Sequence, residues 1–82
     1  MTKHVTIVED DPDVRALLAR SMGAEGYRVT ALETGSDIEG VISSDPVDLV
    51  ILDIGLPGVD GLTITQQIRR HSDVAIIIVS GR

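Results

Sequence analysis

The sequence predicts an α/β fold built on a parallel sheet, and two observations carry this prediction. Short apolar runs rich in β-branched residues alternate along the chain with segments of helical spacing, in the order β-α-β-α-β-α-β. Such alternation is typical of a doubly wound parallel sheet with right-handed crossovers and helices on both faces. In addition, residues 49–52 and 75–79 are apolar throughout, which indicates strands buried on both sides.

The first strand and the first helix have clear local signals. Residues 4–8 form a β-branched run, and three acidic residues follow it. Asp11 before Pro12 is typical of a helix start, because an N-cap carboxylate accepts orphan backbone N–H groups and proline suits the first helical position. Gly26 is the expected C-terminal glycine of this helix. Apolar residues at helical spacing predict its buried face, which comprises Val14, Leu17, Leu18 and Met22.

The middle of the chain continues the alternation. Residues 27–31 form the second strand. Ser36 and Glu39 match the capping box, in which the two side chains satisfy orphan N–H groups at a helix start. This short helix ends before Pro46. Residues 48–53 form the third strand, whose last residue is acidic.

A turn rich in glycine and proline leads from the third strand to the third helix. This helix begins at Asp60 or Gly61, and its spacing turns Ile64 and Ile68 inward. Residues 75–79 then form the fourth strand.

Composition excludes several classes of function. The net charge is −6 and basic residues do not cluster, which disfavours direct binding of nucleic acid. The chain has no cysteine and one aromatic residue, Tyr27, so disulfides and ring-stacked ligands are not expected. Neither a signal peptide nor a membrane span is recognisable, so we expect a cytoplasmic protein without a membrane anchor. His4 and His71 flank strands and are expected to be solvated surface residues.

Acidic and hydroxyl side chains follow three of the predicted strands. Glu9 and Asp10 end the first strand, Asp53 ends the third and Ser80 ends the fourth. Ligands of open α/β sheets bind at the carboxyl ends of the strands, so these groups are expected at one edge. Carboxylates brought so close repel each other unless a cation neutralises them. Mg²⁺, which prefers oxygen ligands and phosphate, suits this set.

Taken singly, each of these residues has an ordinary structural explanation. Asp11 is best explained as a helix cap, Ser80 alone would be a strand-end hydroxyl, and the glycines after the third strand are common turn residues. A functional site is favoured because three separate strands end in acidic or hydroxyl residues at the same edge of the sheet. The acidic turn after the first strand also differs from the glycine-rich turn of dinucleotide-binding folds. With a phosphate and a cation present, Asp53 is the candidate nucleophile.

Three segments resemble the response-regulator receiver domains of two-component signalling: residues 7–12 (IVEDDP), 49–61 (LVILDIGLPGVDG) and 76–82 (IIIVSGR). The pattern D-x-x-L-P-x-x-x-G in the second segment is the most specific. The resemblance implies a flavodoxin-like doubly wound parallel sheet. It also implies a switch module, rather than an enzyme, whose Asp53 accepts a phosphoryl group from the phosphohistidine of a sensor histidine kinase or phosphotransfer protein.

The resemblance also assigns the remaining site residues. Mg²⁺ would be held by Glu9, Asp10, Asp53 and the carbonyl of Gly55. The hydroxyl of Ser80 would contact the phosphoryl group when the switch is on. Backbone N–H groups would complete the phosphoryl cradle, namely those of Ile54, Gly55 and Gly81. The acidic pair and the Leu-Pro turn are most similar to regulators with winged-helix transcriptional outputs.

Receiver domains continue beyond the fourth strand through a helix, a fifth strand and a last helix, with a lysine and an aromatic residue that act in switching. Lys3 is the single lysine here. We therefore expect residues 1–82 to be the N-terminal portion of a receiver domain, with the last helix-strand-helix missing and no output domain present. In the family strand order 2-1-3-4-5, the fourth strand would be an apolar edge that favours a homodimer through edge pairing or domain swapping.

Two other functions remain open at this point. A Mg²⁺-dependent phosphohydrolase on a similar sheet usually carries a second acid two residues after the nucleophile, where this chain has Gly55. An interaction module that is never phosphorylated is the other alternative, since the family lysine is not in this chain.

Overall fold

The computed structural model describes residues 2–53 and 61–79, which form four strands and three α-helices. The strands are β1 (His4–Val8), β2 (Arg28–Leu32), β3 (Leu49–Asp53) and β4 (Ala75–Val79). The helices are α1 (Pro12–Ala24), α2 (Ile38–Ser44) and α3 (Gly61–Arg69), with a 3₁₀ turn (Gly35–Asp37) before α2. The predicted alternation of strands and helices is confirmed.

The four strands form one parallel sheet in the order β2-β1-β3-β4. β1 therefore lies between β2 and β3. Val8, the last residue of β1, pairs with Leu32 on one side and with Leu52 on the other. The carboxyl ends of β1 and β3 are consequently neighbours, as the predicted fold class requires.

Alternate residues of the strands build two apolar clusters, one on each face of the sheet. Val5, Ile7 and Ile51 form the cluster against which Leu18 and Met22 of α1 pack. The opposite cluster joins the sheet to α2 and α3, and its buried members are Val8, Ile38, Val50, Leu52, Ile64, Ile68 and Val74. The inward orientation predicted for the two isoleucines of α3 is confirmed.

Both predicted ends of α1 are confirmed by their hydrogen bonds. The Asp11 carboxylate accepts the N–H groups of Asp13 and Val14, at 2.8 and 3.2 Å. At the other end, Gly26 has φ +93°, and the N–H groups of Gly26 and Tyr27 donate to carbonyls of the last helical turn. This arrangement is a Schellman motif, which requires a residue such as glycine in the left-handed region.

The predicted buried face of α1 is only half right. Leu18 and Met22 pack on the sheet, whereas Val14 and Leu17 are exposed, Leu17 to 57%. The reason is that α1 contacts mainly β1 and β2, so only one side of its apolar stripe meets a neighbour in the described part of the chain.

The predicted capping box at α2 is wrong. Thr34 caps the 3₁₀ turn instead, and its hydroxyl also lies 2.7 Å from that of Ser36. α2 itself starts after Asp37 without a side-chain cap. Ser36 cannot act as the N-cap because the inserted 3₁₀ turn moves the start of the α-helix to Ile38.

The expectation that both later strands are buried on both sides holds for β3 and is wrong for β4. Val50 and Leu52 are fully buried on one face and Ile51 is 7% exposed on the other, whereas three consecutive residues of β4 are exposed, with Ile78 at 49%. The physical reason is position: β4 is the outermost strand of the described sheet and pairs with β3 alone.

The prediction for His4 is also wrong, because this side chain is only 1% exposed. Its Nδ1 lies 2.9 Å from the Pro46 carbonyl oxygen and its Nε2 lies 2.7 Å from the Thr30 hydroxyl. The backbone of His4 exchanges two hydrogen bonds with Asp48, both at 2.8 Å. His4 thus joins β1, β2 and the α2–β3 connection. His71, in contrast, is exposed as expected.

Candidate functional site

The acidic residues after β1 occupy a well-defined position at the carboxyl edge of the sheet. The Glu9 N–H donates to the Leu32 carbonyl at 3.0 Å, which extends the contact of β1 with β2 by one residue. The Glu9 side chain is 3% exposed, and its Oε1 accepts the N–H of Asp11 at 3.1 Å. Asp10, between them, is half-buried. Two adjacent acidic residues therefore follow β1 at this edge, and Asp11 is engaged as the helix cap.

Arg15 contacts the same segment from the first turns of α1. Its Nη1 donates to the Glu9 carbonyl at 2.9 Å and approaches the Asp10 carbonyl at 3.5 Å. Its backbone N–H donates to the Asp11 carbonyl at 2.9 Å. Sequence reasoning missed this residue. The available signal was an arginine placed one helical turn beyond an acidic loop, where a long side chain can reach back to the loop.

The end of β3 lies beside the end of β1. Because Val8 pairs with Leu52, Glu9 and Asp53 are the next residues of two adjacent parallel strands, and neighbouring strands lie about 4.8 Å apart. On its other side, Asp53 pairs with Val79, the residue before Ser80. The strand register therefore brings the backbone of Asp53 beside the segment that carries Glu9 and Asp10.

The other predicted site groups lie outside the described part of the molecule. These are the side chain of Asp53 and the residues Ile54, Gly55, Ser80 and Gly81. Their predicted roles stay predictions.

The described residues suit a hard divalent cation in their chemistry. Glu9 and Asp10 supply carboxylate oxygens, the ligand type that Mg²⁺ prefers. Among the described side chains, which include Glu9 and Asp10 but not Asp53, no group of three or more His, Cys, Asp or Glu residues is placed to hold a metal. Glu9 and Asp10 therefore suit Mg²⁺ as part of a ligand set that lies next to the end of β3.

A separate ion pair lies at the amino-terminal end of the sheet, where the strands begin. The Arg28 guanidinium donates two hydrogen bonds to the Asp45 carboxylate, at 2.5 and 2.9 Å. These bonds, followed by the charge of Arg28, hold the pKa of Asp45 below its usual value of 3.8. The pKa of Arg28 is raised in turn, mainly by its hydrogen bonds to Asp45. Both side chains are substantially exposed, at 50% and 37%, so the pair is a surface tie between β2 and the segment after α2.

Comparison with known proteins agrees with the geometry. The family model of the response regulator receiver domain matches residues 5–82. TorR of Escherichia coli O157:H7, a transcriptional regulatory protein of the TorCAD operon, is 42% identical over 82 residues, which cover all of this chain and 36% of TorR. The chain thus spans about a third of the length of the curated relatives it matches.

Solved structures of response regulators also resemble the chain. The response regulator TrrA of Thermotoga maritima, in complex with Mg²⁺ and BeF, is 35% identical with a TM-score of 0.89, covering 99% of this chain and 71% of that chain. TrrA in complex with the histidine kinase ThkA gives 36% identity and a TM-score of 0.88, covering 98% and 70%. Over the described ranges, no helix is both long and apolar enough to cross a membrane.

Proposed function

Because the chain belongs to the response regulator receiver domain family, we propose that it is a phosphoacceptor switch whose phosphorylated residue is Asp53. One observation supports this proposal most strongly. Asp53 ends β3 directly beside the position of Glu9 at the end of β1, at the edge where ligands of open α/β sheets bind.

The proposed reaction is a single phosphoryl transfer. A carboxylate oxygen of Asp53 attacks the phosphorus of a phosphohistidine, and a new P–O bond forms while the P–N bond breaks. The electron pair of the broken bond goes to the imidazole nitrogen of the donor. In such transfers the protein contributes mainly positioning and neutralisation of charge, and an aspartate is an established nucleophile in this chemistry.

The residues proposed to hold Mg²⁺ are Glu9, Asp10, Asp53 and, through its carbonyl, Gly55. When bound, the ion neutralises the negative charge shared by the carboxylates and the phosphoryl oxygens. Ser80 is proposed to contact the phosphoryl group through its hydroxyl. The proposed backbone donors are Ile54, Gly55 and Gly81. TrrA has been crystallised with Mg²⁺ and BeF, which supports the choice of metal.

The partners follow from the relatives. TrrA forms a complex with the histidine kinase ThkA, and we propose a cytoplasmic sensor kinase domain or phosphotransfer protein as the phosphoryl donor here. TorR is a transcriptional regulatory protein, and a transcriptional output of the whole protein is proposed on that basis. The acidic net charge of −6 supports a segment that does not itself bind nucleic acid.

We also propose that chains of residues 1–82 associate through β4. Ile77, Ile78 and Val79 are exposed on the outermost strand of the described sheet, and an apolar edge favours pairing with another strand. Sedimentation velocity over a concentration series should show association that Ile78→Lys abolishes, because a lysine on an edge strand opposes pairing. A stable monomer at all concentrations would contradict this.

The phosphorylation experiment uses a small phosphodonor and mass spectrometry. The wild-type chain should gain the mass of one phosphoryl group when Mg²⁺ is present and lose this labelling when the metal is chelated. Asp53→Asn should abolish labelling. Asp73→Asn is the matched control, since it is the same change at an exposed residue before β4, at the opposite edge of the sheet, and labelling should be unchanged.

The alternatives predict other outcomes. Full labelling of Asp53→Asn would refute the proposed phosphoacceptor. Mg²⁺ binding without any labelling would favour a pure interaction module. Steady release of phosphate through many turnovers would favour a phosphohydrolase.

A further inference from the structure

Arg15 of α1 contacts the backbone of the acidic segment with its side chain. Its Nη1 donates to the Glu9 carbonyl at 2.9 Å and approaches the Asp10 carbonyl at 3.5 Å. Its backbone N–H makes the ordinary first hydrogen bond of α1, to the Asp11 carbonyl at 2.9 Å. The Arg15 guanidinium thereby restrains the peptide groups whose carbonyls belong to Glu9 and Asp10. The side chains of both residues belong to the proposed metal site.

The contacts are directed at carbonyl oxygens. Both come from one guanidinium nitrogen, Nη1, and the donors of this group have a fixed geometry. The hydrogen bond to the Glu9 carbonyl and the longer contact to the Asp10 carbonyl therefore restrain the peptide planes of these two residues. Arg15 is half-buried, and a hydrogen bond from a charged donor is stronger than a neutral one. The half-buried position also reduces competition from water.

We propose that Arg15 is a positioning residue for the divalent cation site, holding the Glu9 and Asp10 carboxylates in ligand geometry through their own backbone carbonyls. This inference rests on the proposed function, because it takes Glu9 and Asp10 to be metal ligands. Partners that orient metal ligands typically change metal affinity by 10-fold to 100-fold when they are removed.

The sign of the effect separates positioning from simple electrostatics. Arg15 is a cation close to a cation site, so its charge alone opposes Mg²⁺ binding. If charge were its only contribution, removing it would tighten Mg²⁺ binding. If Arg15 orients the ligands, removing it weakens binding although a repelling charge has gone.

The test is calorimetric titration of the full chain with Mg²⁺ alone. We expect Arg15→Met, which keeps the length but loses charge and donors, to raise the Mg²⁺ dissociation constant about tenfold. Arg15→Lys keeps the charge but replaces the planar group by a point charge, so its dissociation constant should fall between those of the wild type and Arg15→Met. Arg20→Met is the matched control: the same change on the exposed side of α1, where affinity should be unchanged or slightly tighter.

A second readout excludes a merely structural effect. Arg15→Met retains Asp53, so saturating Mg²⁺ should restore its labelling by a small phosphodonor. Its far-ultraviolet circular dichroism and urea midpoint without metal should match those of the wild type, because a metal that binds the native state can also rescue a destabilised fold. If Arg15→Met does not fold, the Mg²⁺ affinity of Arg15→Lys is the deciding measurement. An affinity weaker than that of the wild type supports the proposal, and an unchanged affinity overturns it. An Arg15→Met affinity equal to or tighter than that of the wild type also overturns it.

Failure of the proposed function has a different signature. If the wild type does not bind Mg²⁺, the proposed site and this inference are both overturned. If the wild type binds Mg²⁺ and Arg15→Met binds it equally well, only the role of Arg15 is overturned.

Discussion

Replacing His4 by leucine should destabilise the fold strongly, although histidine at the start of a strand would ordinarily be replaceable. The His4 ring is 1% exposed and bridges the Pro46 carbonyl and the Thr30 hydroxyl at 2.9 and 2.7 Å. Leucine has a similar size, so the change removes both hydrogen bonds without opening a large cavity. The acceptor on the α2–β3 connection and the hydroxyl on β2 then lose their partner.

The expected loss of unfolding free energy follows from the Pro46 carbonyl and the Thr30 hydroxyl, which lose their hydrogen-bond partner. Leaving a buried polar group unsatisfied costs about 1–3 kcal/mol. Thr30 is half-buried and Pro46 exposed, so water partly replaces the lost bonds, and a total of about 2–3 kcal/mol is expected. A domain of this size has an unfolding free energy of about 4–12 kcal/mol. With a urea m-value of about 1 kcal/mol/M, the unfolding midpoint should fall by about 2–3 M.

Urea unfolding followed by far-ultraviolet circular dichroism measures this loss. His71→Leu is the matched control, because His71 is exposed. The unfolding free energy of this variant should stay within about 0.5 kcal/mol of the wild-type value. Thr30→Val and the double variant complete a cycle, in which the His4–Thr30 hydrogen bond should appear as a coupling of about 1 kcal/mol. Equal midpoints for the two histidine variants, or strict additivity in the cycle, would refute the assigned role of His4.

Two further predictions concern the α2 region. Gly35→Ala should cost about 1–3 kcal/mol in urea unfolding, because the new Cβ would lie 2.8 Å from Cγ1 of the buried Ile64; Gly40→Ala, whose Cβ meets nothing within 4 Å, should instead stabilise by about 0.5–1 kcal/mol. Asp45 has a lowered pKa in the folded state, so its ion pair stabilises the fold above the usual carboxyl pKa of 3.8 and is lost as the pH falls below it. Asp45→Asn should therefore show a shallower loss of stability below about pH 4 in acid titrations monitored by circular dichroism, and an unchanged acid profile would contradict this.

Sequence alone determined those features whose signals are local. The N-cap carboxylate and the C-terminal glycine of α1 act on backbone groups within a few residues, so their types and spacing were sufficient. The alternation of apolar runs predicted the parallel sheet, and the ends of those runs placed Glu9 and Asp10 at the carboxyl edge beside the end of β3. The family was likewise predicted from short segments at the strand ends, and the family model that matches residues 5–82 confirms it.

Tertiary structure decided what depends on neighbours distant in the chain. The buried His4 ring is hydrogen-bonded to residues 30 and 46, which are distant in the chain. No residue close to His4 in the sequence indicates this burial. The isoleucines of β4 are exposed because β4 is outermost in the described sheet, although their sequence resembles that of the buried β3. Arg15 is typical of a solvated helix residue in sequence, and only the path of the loop after β1 turns the Glu9 and Asp10 carbonyls toward its side chain. Burial and long-range hydrogen bonds are properties of the assembled sheet, so a pattern read along the chain cannot supply them.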